Sequence, residues 1–390
     1  MVNEKTYLRS TLSFTYAFDR ILTDLHTLED ERIAAEDISN RNGNMVFKAY
    51  MNRKAGPKHT NRSGFTVTAL GYDLDYRVSP NFGLNKPAER IVEGRGESLV
   101  VSAFSNSLFD LNSRLTATTG LSSQYFTLNK KFSLEPRVAL KWRPDLQQSF
   151  ALAYGLHSRR EKLDYYFVEK EVHGVVKSNR HLDFSKAHHF VLTYNRMINT
   201  HLHLKIEPYF QYLFHIPVEN NTSFSVMNND DFYLNRILVS NGAGKNCGID
   251  ITLEQYMKNG FYYMVTGSLF KSRYRGGDHI WRNTRFDRRF LLNLLAGKEW
   301  MTGKQKQNVL SVNGRLFFHG GDRYSPVDEK MTIENNEVVF DEVNAFSRKF
   351  NPVLNGDFSI GYKINRRRVS HEFSMRILNV ARQTGLYFYD

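Results

Sequence analysis

The sequence holds one cysteine in 390 residues, which excludes a disulfide scaffold and a cysteine-based zinc site. That residue, Cys247, is expected to start a strand after a long loop. No stretch approaches the roughly 18 consecutive apolar residues that a membrane helix needs. The longest apolar patches, such as Leu291 to Ala296, are interrupted by polar groups. The start, Met1-Val2-Asn3-Glu4-Lys5-Thr6, lacks the basic and apolar regions of a signal peptide. Read alone, that start predicts a cytoplasmic chain; if the rest argues for export, the true start lies upstream. The mean hydropathy of −0.48 reads as soluble. One architecture escapes that reading, because a membrane β-barrel exposes only alternate residues to lipid.

Catalytic signatures are missing too. There is no Gly-x-Ser-x-Gly elbow, no His-Glu-x-x-His and no glycine-rich phosphate loop, so no enzyme activity and no cofactor are expected. Gly242-Ala243-Gly244-Lys245 has the wrong spacing for phosphate and reads as a turn. His188-His189 and His201/His203 flank one short turn, but without an acidic cluster they read as solvated, and no metal is expected. Lys and Arg number 53 against 40 Asp and Glu, a net charge of +13. Nucleic-acid binding would gather that surplus on one face or helix. Here it is scattered, with only Arg288-Arg289 and Arg366-Arg367-Arg368 clustered, so no nucleic-acid partner is expected. Outer-face Lys and Arg could instead meet the phosphates of lipopolysaccharide.

What is present is a period of two. Val138, Leu140 and Trp142 alternate with Arg137, Ala139 and Lys141. Phe150, Leu152, Tyr154 and Leu156 alternate with Ser149, Ala151, Ala153 and Gly155. The pattern returns in Leu202, Leu204 and Ile206 against His203, Lys205 and Glu207, and in Ile249, Ile251 and Leu253 against Asp250, Thr252 and Glu254. It closes the chain at 354–364 and 369–377. Such alternation marks strands with different solvents on their two sides.

Connection length sharpens this. Short turns at 143–148, 197–201, 257–260, 301–306 and 365–368 alternate with long loops near 159–186, 215–245, 273–286 and 319–351. Outer-membrane barrels keep this asymmetry, whereas compact domains seldom hold such long loops. In the first third, strands are expected at 4–18, 45–54, 62–76, 97–107, 111–123 and 133–142, with 19–44 a long loop holding a short helix near Leu25 to Ile38. Aromatic clusters at Tyr165-Tyr166-Phe167, Tyr262-Tyr263 and Tyr387-Phe388-Tyr389 suit interfacial girdles. The count comes to about fifteen strands, and even parity predicts one returning strand beyond residue 390. The fold expected is all-β, an antiparallel transmembrane β-barrel of which this chain is a part, in a Gram-negative outer membrane.

Several segments resemble the barrel of TonB-dependent outer-membrane receptors, in the form common in Bacteroidetes. They are Glu135-Pro136-Arg137, Ala153-Tyr154-Gly155-Leu156-His157, Lys205-Ile206-Glu207-Pro208-Tyr209, Tyr212 to Val218 and Gly248 to Glu254. Gly276-Gly277-Asp278 leading to Ile280 to Phe286, and Gly320 to Asp328, complete the set, which covers roughly residues 130–380. The resemblance implies a plugged barrel of about 22 strands. It also implies uptake of a bulky nutrient (an iron chelate, cobalamin, glycan or peptide) driven by the TonB complex. Residues 1–390 then form one barrel domain, with the signal peptide, plug, coupling motif, about six earlier strands and the last strand outside it. TonB would act through the N-terminal region absent here, and the lipid partners would be outer-membrane lipid and lipopolysaccharide.

The two Gly-Gly-Asp loops supply the candidate ligand residues: Asp278, Trp281, Arg282 and Arg285 in one, Asp322 and Arg323 in the other. The glycines permit positive φ and tight turns. Arginine grips carboxylates or phosphates with two parallel bonds, and tryptophan stacks on sugars or chelate rings. The plainer reading is that the aspartates pair with the arginines to order the loops. Two rival functions remain at this stage, a passive outer-membrane pore or structural barrel and a soluble extracellular glycan-binding β-protein.

Overall fold

The computed structural model describes residues 4–26, 32–79, 88–172, 174–335 and 338–380. The first half holds β1 (Thr6–His26), β2 (Arg32–Gly56), β3 (His59–Val78), β4 (Glu89–Asp110), β5 (Leu115–Phe126), β6 (Lys131–Trp142) and β7 (Gln148–Arg159). A loop with the small pair β8 (Glu169–Val172) and β9 (Val175–Ser178) leads to β10 (Ser185–Met197), β11 (Leu202–Glu219), β12 (Leu238–Lys258) and β13 (Phe261–Arg275). Then come β14 (Trp281–Asn283), β15 (Phe290–Thr302) and β16 (Asn308–His319). The last loop carries β17 (Arg323–Tyr324), α1 (Glu329–Asn335) and β18 (Arg348–Lys349), before β19 (Val353–Asn365) and β20 (Ser370–Ile377).

One antiparallel sheet takes in every long strand in chain order, with β14 added beside β13. Among the described residues β1 pairs only with β2 and β20 only with β19, so the sheet is an open arc. Its register sorts the side chains cleanly. Trp142, Phe150, Tyr194, Ile206, Ile251, Gly267, Leu292, Phe318 and Leu354 stand opposite one another from β6 to β19. Among the described residues nothing covers this face: Leu152 is 59% exposed and Leu269 62% exposed. A water-soluble sandwich would bury such residues between two sheets. Here the apolar band faces outward, as in a barrel that spans a lipid bilayer.

The opposite face is polar and bonded across strands. Thr193 Oγ1 donates to Glu207 at 3.0 Å, Ser268 Oγ to Asp250 at 2.7 Å, and Ser272 Oγ to Asn246 at 2.7 Å. Gln124, Arg137 and Ser158 all donate to the buried Glu135. Long loops fold back onto this face at its far end. There Ile38, Leu70, Tyr72, Leu74, Tyr76 and Phe126 from the strands pack on Tyr165, Tyr166, Phe167, Val168, Leu182 and Phe184 from the 160–184 loop. The hydrophobic core thus sits at the barrel mouth rather than along its length.

The five expected short turns all join neighbouring strands. Four expectations need correction. Residues 19–26 and 32–44 are not a loop with a helix: they extend β1 and β2, whose registers pair Leu25 with Ile33 and Ile21 with Ile38. Inter-strand bonding and burial of Ala35 and Ile38 outweigh the weak helix propensity of Ala34-Ala35-Glu36. Residues 27–31 lie outside the described residues, as does the 387–389 aromatic cluster. Gly242 to Lys245 is not a turn but part of β12, paired with β11; Cys247, expected at a strand start, is also inside it. Tyr165 to Phe167 forms no girdle, because its rings are buried in the mouth core.

Candidate functional site at the outer mouth

Three loops, 220–237, 276–289 and 320–352, meet over the polar face near β11 to β16. Their glycines let backbones touch. A Cβ on Gly277 would lie 1.9 Å from the Glu219 carbonyl oxygen, and one on Gly321 2.1 Å from the Phe350 carbonyl oxygen. The expected positive φ is absent at both Gly-Gly pairs, and the left-handed residues nearby are His279 and Arg289. Close approach, not chirality, is why glycine stands there.

Ion pairs then fix the loops. Arg282 is buried; its guanidinium lies 2.6 Å from Asp278 and donates to the Val343 carbonyl at 3.1 Å. Burial alone would raise the Asp278 carboxyl, but Arg282 and the Ile280 N–H outweigh it and hold it below the usual carboxylate range. Asp322 pairs with Arg288, and Arg285 with Asp230. The fully buried Asp287 takes Arg323 at 3.1 Å and Arg289 at 2.9 Å. Trp281 lies apart, with the Lys245 ammonium 4.5 Å from its ring centroid.

Between the loops lies a cavity of about 360 Å³. Arg285, Asp322 and Arg323 line it; Asp278, Trp281 and Arg282 do not. Arg282, expected on the ligand-facing surface, is instead enclosed, because a buried guanidinium needs the carboxylate and carbonyls that surround it. Sequence reasoning missed the aromatic walls Phe224, Tyr324, Phe346 and Phe350 and the polar Asn228, Asp231 and Glu342. The acidic Asp230-Asp231 pair inside a long loop was the only signal pointing to them. Burial, then the neighbouring Asp230 charge, raise the Asp231 carboxyl. The Arg285 backbone N–H donates to Asn228 Oδ1 at 2.9 Å, while the buried Asn228 Nδ2 has no hydrogen-bond partner among the described residues. The cavity can hold an aromatic or ring-shaped group and offer charges of both signs at its edge. No group of three or more metal-ligating side chains occurs among the described residues.

An uncovered apolar band, a bonded polar interior and folded outer loops define an outer-membrane β-barrel fold. Comparison with solved structures agrees. The chain is similar to the Escherichia coli outer-membrane transporter YddB, with a TM-score of 0.66 and 11% identity over 97% of this chain and 57% of that one. It is similar to the ferric yersiniabactin uptake receptor FyuA from Yersinia pestis, with a TM-score of 0.68 and 10% identity over 98% of this chain and 54% of that one. The pyoverdine receptor FpvA from Pseudomonas aeruginosa gives 0.69 and 10% over 97% and 55%. The chain therefore spans about half the length of these structures. No family model and no curated protein matches it.

Proposed function

We propose that this chain, residues 1–390, is barrel wall and outer mouth of a TonB-dependent receptor that takes up a bulky nutrient across a Gram-negative outer membrane. The observation that carries the reading is the cavity at the mouth. Loops from three hairpins converge there over a charged polar wall, where a ligand arriving from outside would be caught. A simple open pore has no use for an aromatic recess ringed by paired charges. Arg285 and Arg323 would grip a carboxylate or phosphate of the ligand, Asp230 and Asp287 would orient them, Asp322 would anchor the same wall through Arg288, and Phe346 and Phe350 would hold its flat part. Asp278, Arg282 and Trp281 would serve by ordering or flanking the loop. Iron chelates suit this arrangement, and the names of FyuA and FpvA support that class; cobalamin, glycans and peptides are the other candidates. The TonB complex would supply energy through parts of the protein beyond this chain.

The test is a strain from which the gene encoding this chain is deleted, grown on ferric chelates, cobalamin, glycans or peptides as the limiting nutrient. Growth should fail on one class and return with the gene. Arg285→Ala should weaken binding of that nutrient about tenfold, the loss of one charge-assisted contact. Normal growth on every class would refute the proposal.

A further inference from the structure

The short turns carry a charge pattern that nutrient capture does not use. They hold Lys58, Arg114, Arg143, Lys304, Lys306 and the run Arg366 to Arg368, all exposed, and one acid, Asp145. Asp145 is occupied by its own turn, accepting from the Gln147 and Gln148 N–H groups at 2.7 and 2.9 Å. The long loops, by contrast, mix both signs, as in the ion pairs described above. Four of the five basic turns also offer an apolar side chain to their surroundings: Leu111 beside Arg114, Leu146 beside Arg143, Met301 beside Lys304, and Val369 beside Arg368. Within about a turn's length further in, one to five residues from the turns, the lipid-facing side carries the aromatics Trp142, Phe150, Tyr194, Trp300, Tyr362 and Phe373.

We propose that this basic rim binds the headgroups of acidic phospholipids in the leaflet on the short-turn side of the membrane. The inference rests on the same membrane placement as the receptor reading. A soluble polyanion would meet the cations but leave Leu146, Met301 and Val369 in water. A lipid headgroup accepts both, with phosphates at the cations and acyl chains at the apolar tips. The aromatic ring sets the depth, holding the turns at headgroup level. Each cation near an acidic leaflet enriches anionic lipid about fivefold at low salt.

The reporters are already in place. Trp281→Phe leaves only Trp142 and Trp300, both beside basic turns. The full chain is reconstituted in phosphatidylcholine vesicles containing increasing fractions of brominated phosphatidylglycerol or brominated phosphatidylcholine, and tryptophan quenching is read. Half-maximal quenching is expected at about fivefold less brominated phosphatidylglycerol, with the advantage lost in high salt. It should shrink in the triple variant Arg366→Gln, Arg367→Gln, Arg368→Gln and in Lys304→Gln with Lys306→Gln. Equal quenching by both lipids at low salt would overturn the inference while keeping the membrane placement, and would leave the rim to a soluble anionic partner. No quenching by either lipid would overturn both. Salt-sensitive selectivity that survives all the substitutions would remove the turns from the site.

Discussion

Arg282 carries a charge into a buried place because Asp278, four residues earlier, lies 2.6 Å from its Nη2 and accepts from its Nη1 at 3.0 Å, while the Val343 carbonyl accepts from its Nε at 3.1 Å. Removing one partner of such a pair strands the other. Arg282→Ala is therefore expected to cost about 3 kcal/mol of local loop stability, seen as faster amide exchange across 276–289. Asp278→Ala with Arg282→Ala should cost less than the single substitutions added together. Asp164 poses the opposite case. It opens the turn that buries Tyr165, Tyr166 and Phe167, and that burial lifts its carboxyl from 3.8 to about 6. A raised folded-state value means that the protonated form favours folding. The contribution is complete below about 4 and disappears as pH rises through about 6. Protease resistance of the 160–184 loop should therefore fall between pH 5 and pH 7, by about 1–2 kcal/mol, and Asp164→Asn should flatten that dependence. Unchanged resistance across this range in the natural chain would contradict the assignment.

In a single strand, two adjacent residues meet different solvents. In β10, Leu192 belongs to the uncovered apolar face, while Thr193 bonds Glu207 on the polar one. Leu192→Arg is expected to destabilise the membrane-embedded fold by about 2–4 kcal/mol, measured by urea unfolding in lipid. Thr193→Arg, placed near Glu207, should be close to neutral. Equal effects would erase the distinction between the faces. This alternation was legible in the sequence because the period of two survives in most of the long strands, and short polar turns interrupt it. The extensions of β1 and β2 were not legible. Their residues are polar or helix-prone, and it is the pairing of β1 with β2 and of β2 with β3, with packing under the 160–184 loop, that holds them extended. The site was half legible. Arg285, Asp322 and Arg323 were found from local composition, yet the partners that decide their roles come from far along the chain. Asp230 lies 55 residues before Arg285, and Asp287 36 before Arg323. No local pattern encodes such pairings.

For the molecule as a whole, each part of the sheet answers to a different medium. The outer surface is apolar where lipid would lie, the inner wall is polar, and the extended hydrophobic core among the described residues sits at the mouth. The mouth core and ion-paired loops need no lipid, so they should remain ordered in detergent. The central claim is that the apolar face meets acyl chains. Nitroxide labels placed singly from Ala187 to Arg196, in a Cys247→Ser background and reconstituted in vesicles, test it directly. Collisions with oxygen should peak at 188, 190, 192 and 194 and collisions with a water-soluble nickel chelate at the positions between. Labels at 190, 192 and 194 that are shielded from both reagents, or a pattern without the two-residue period, would contradict it.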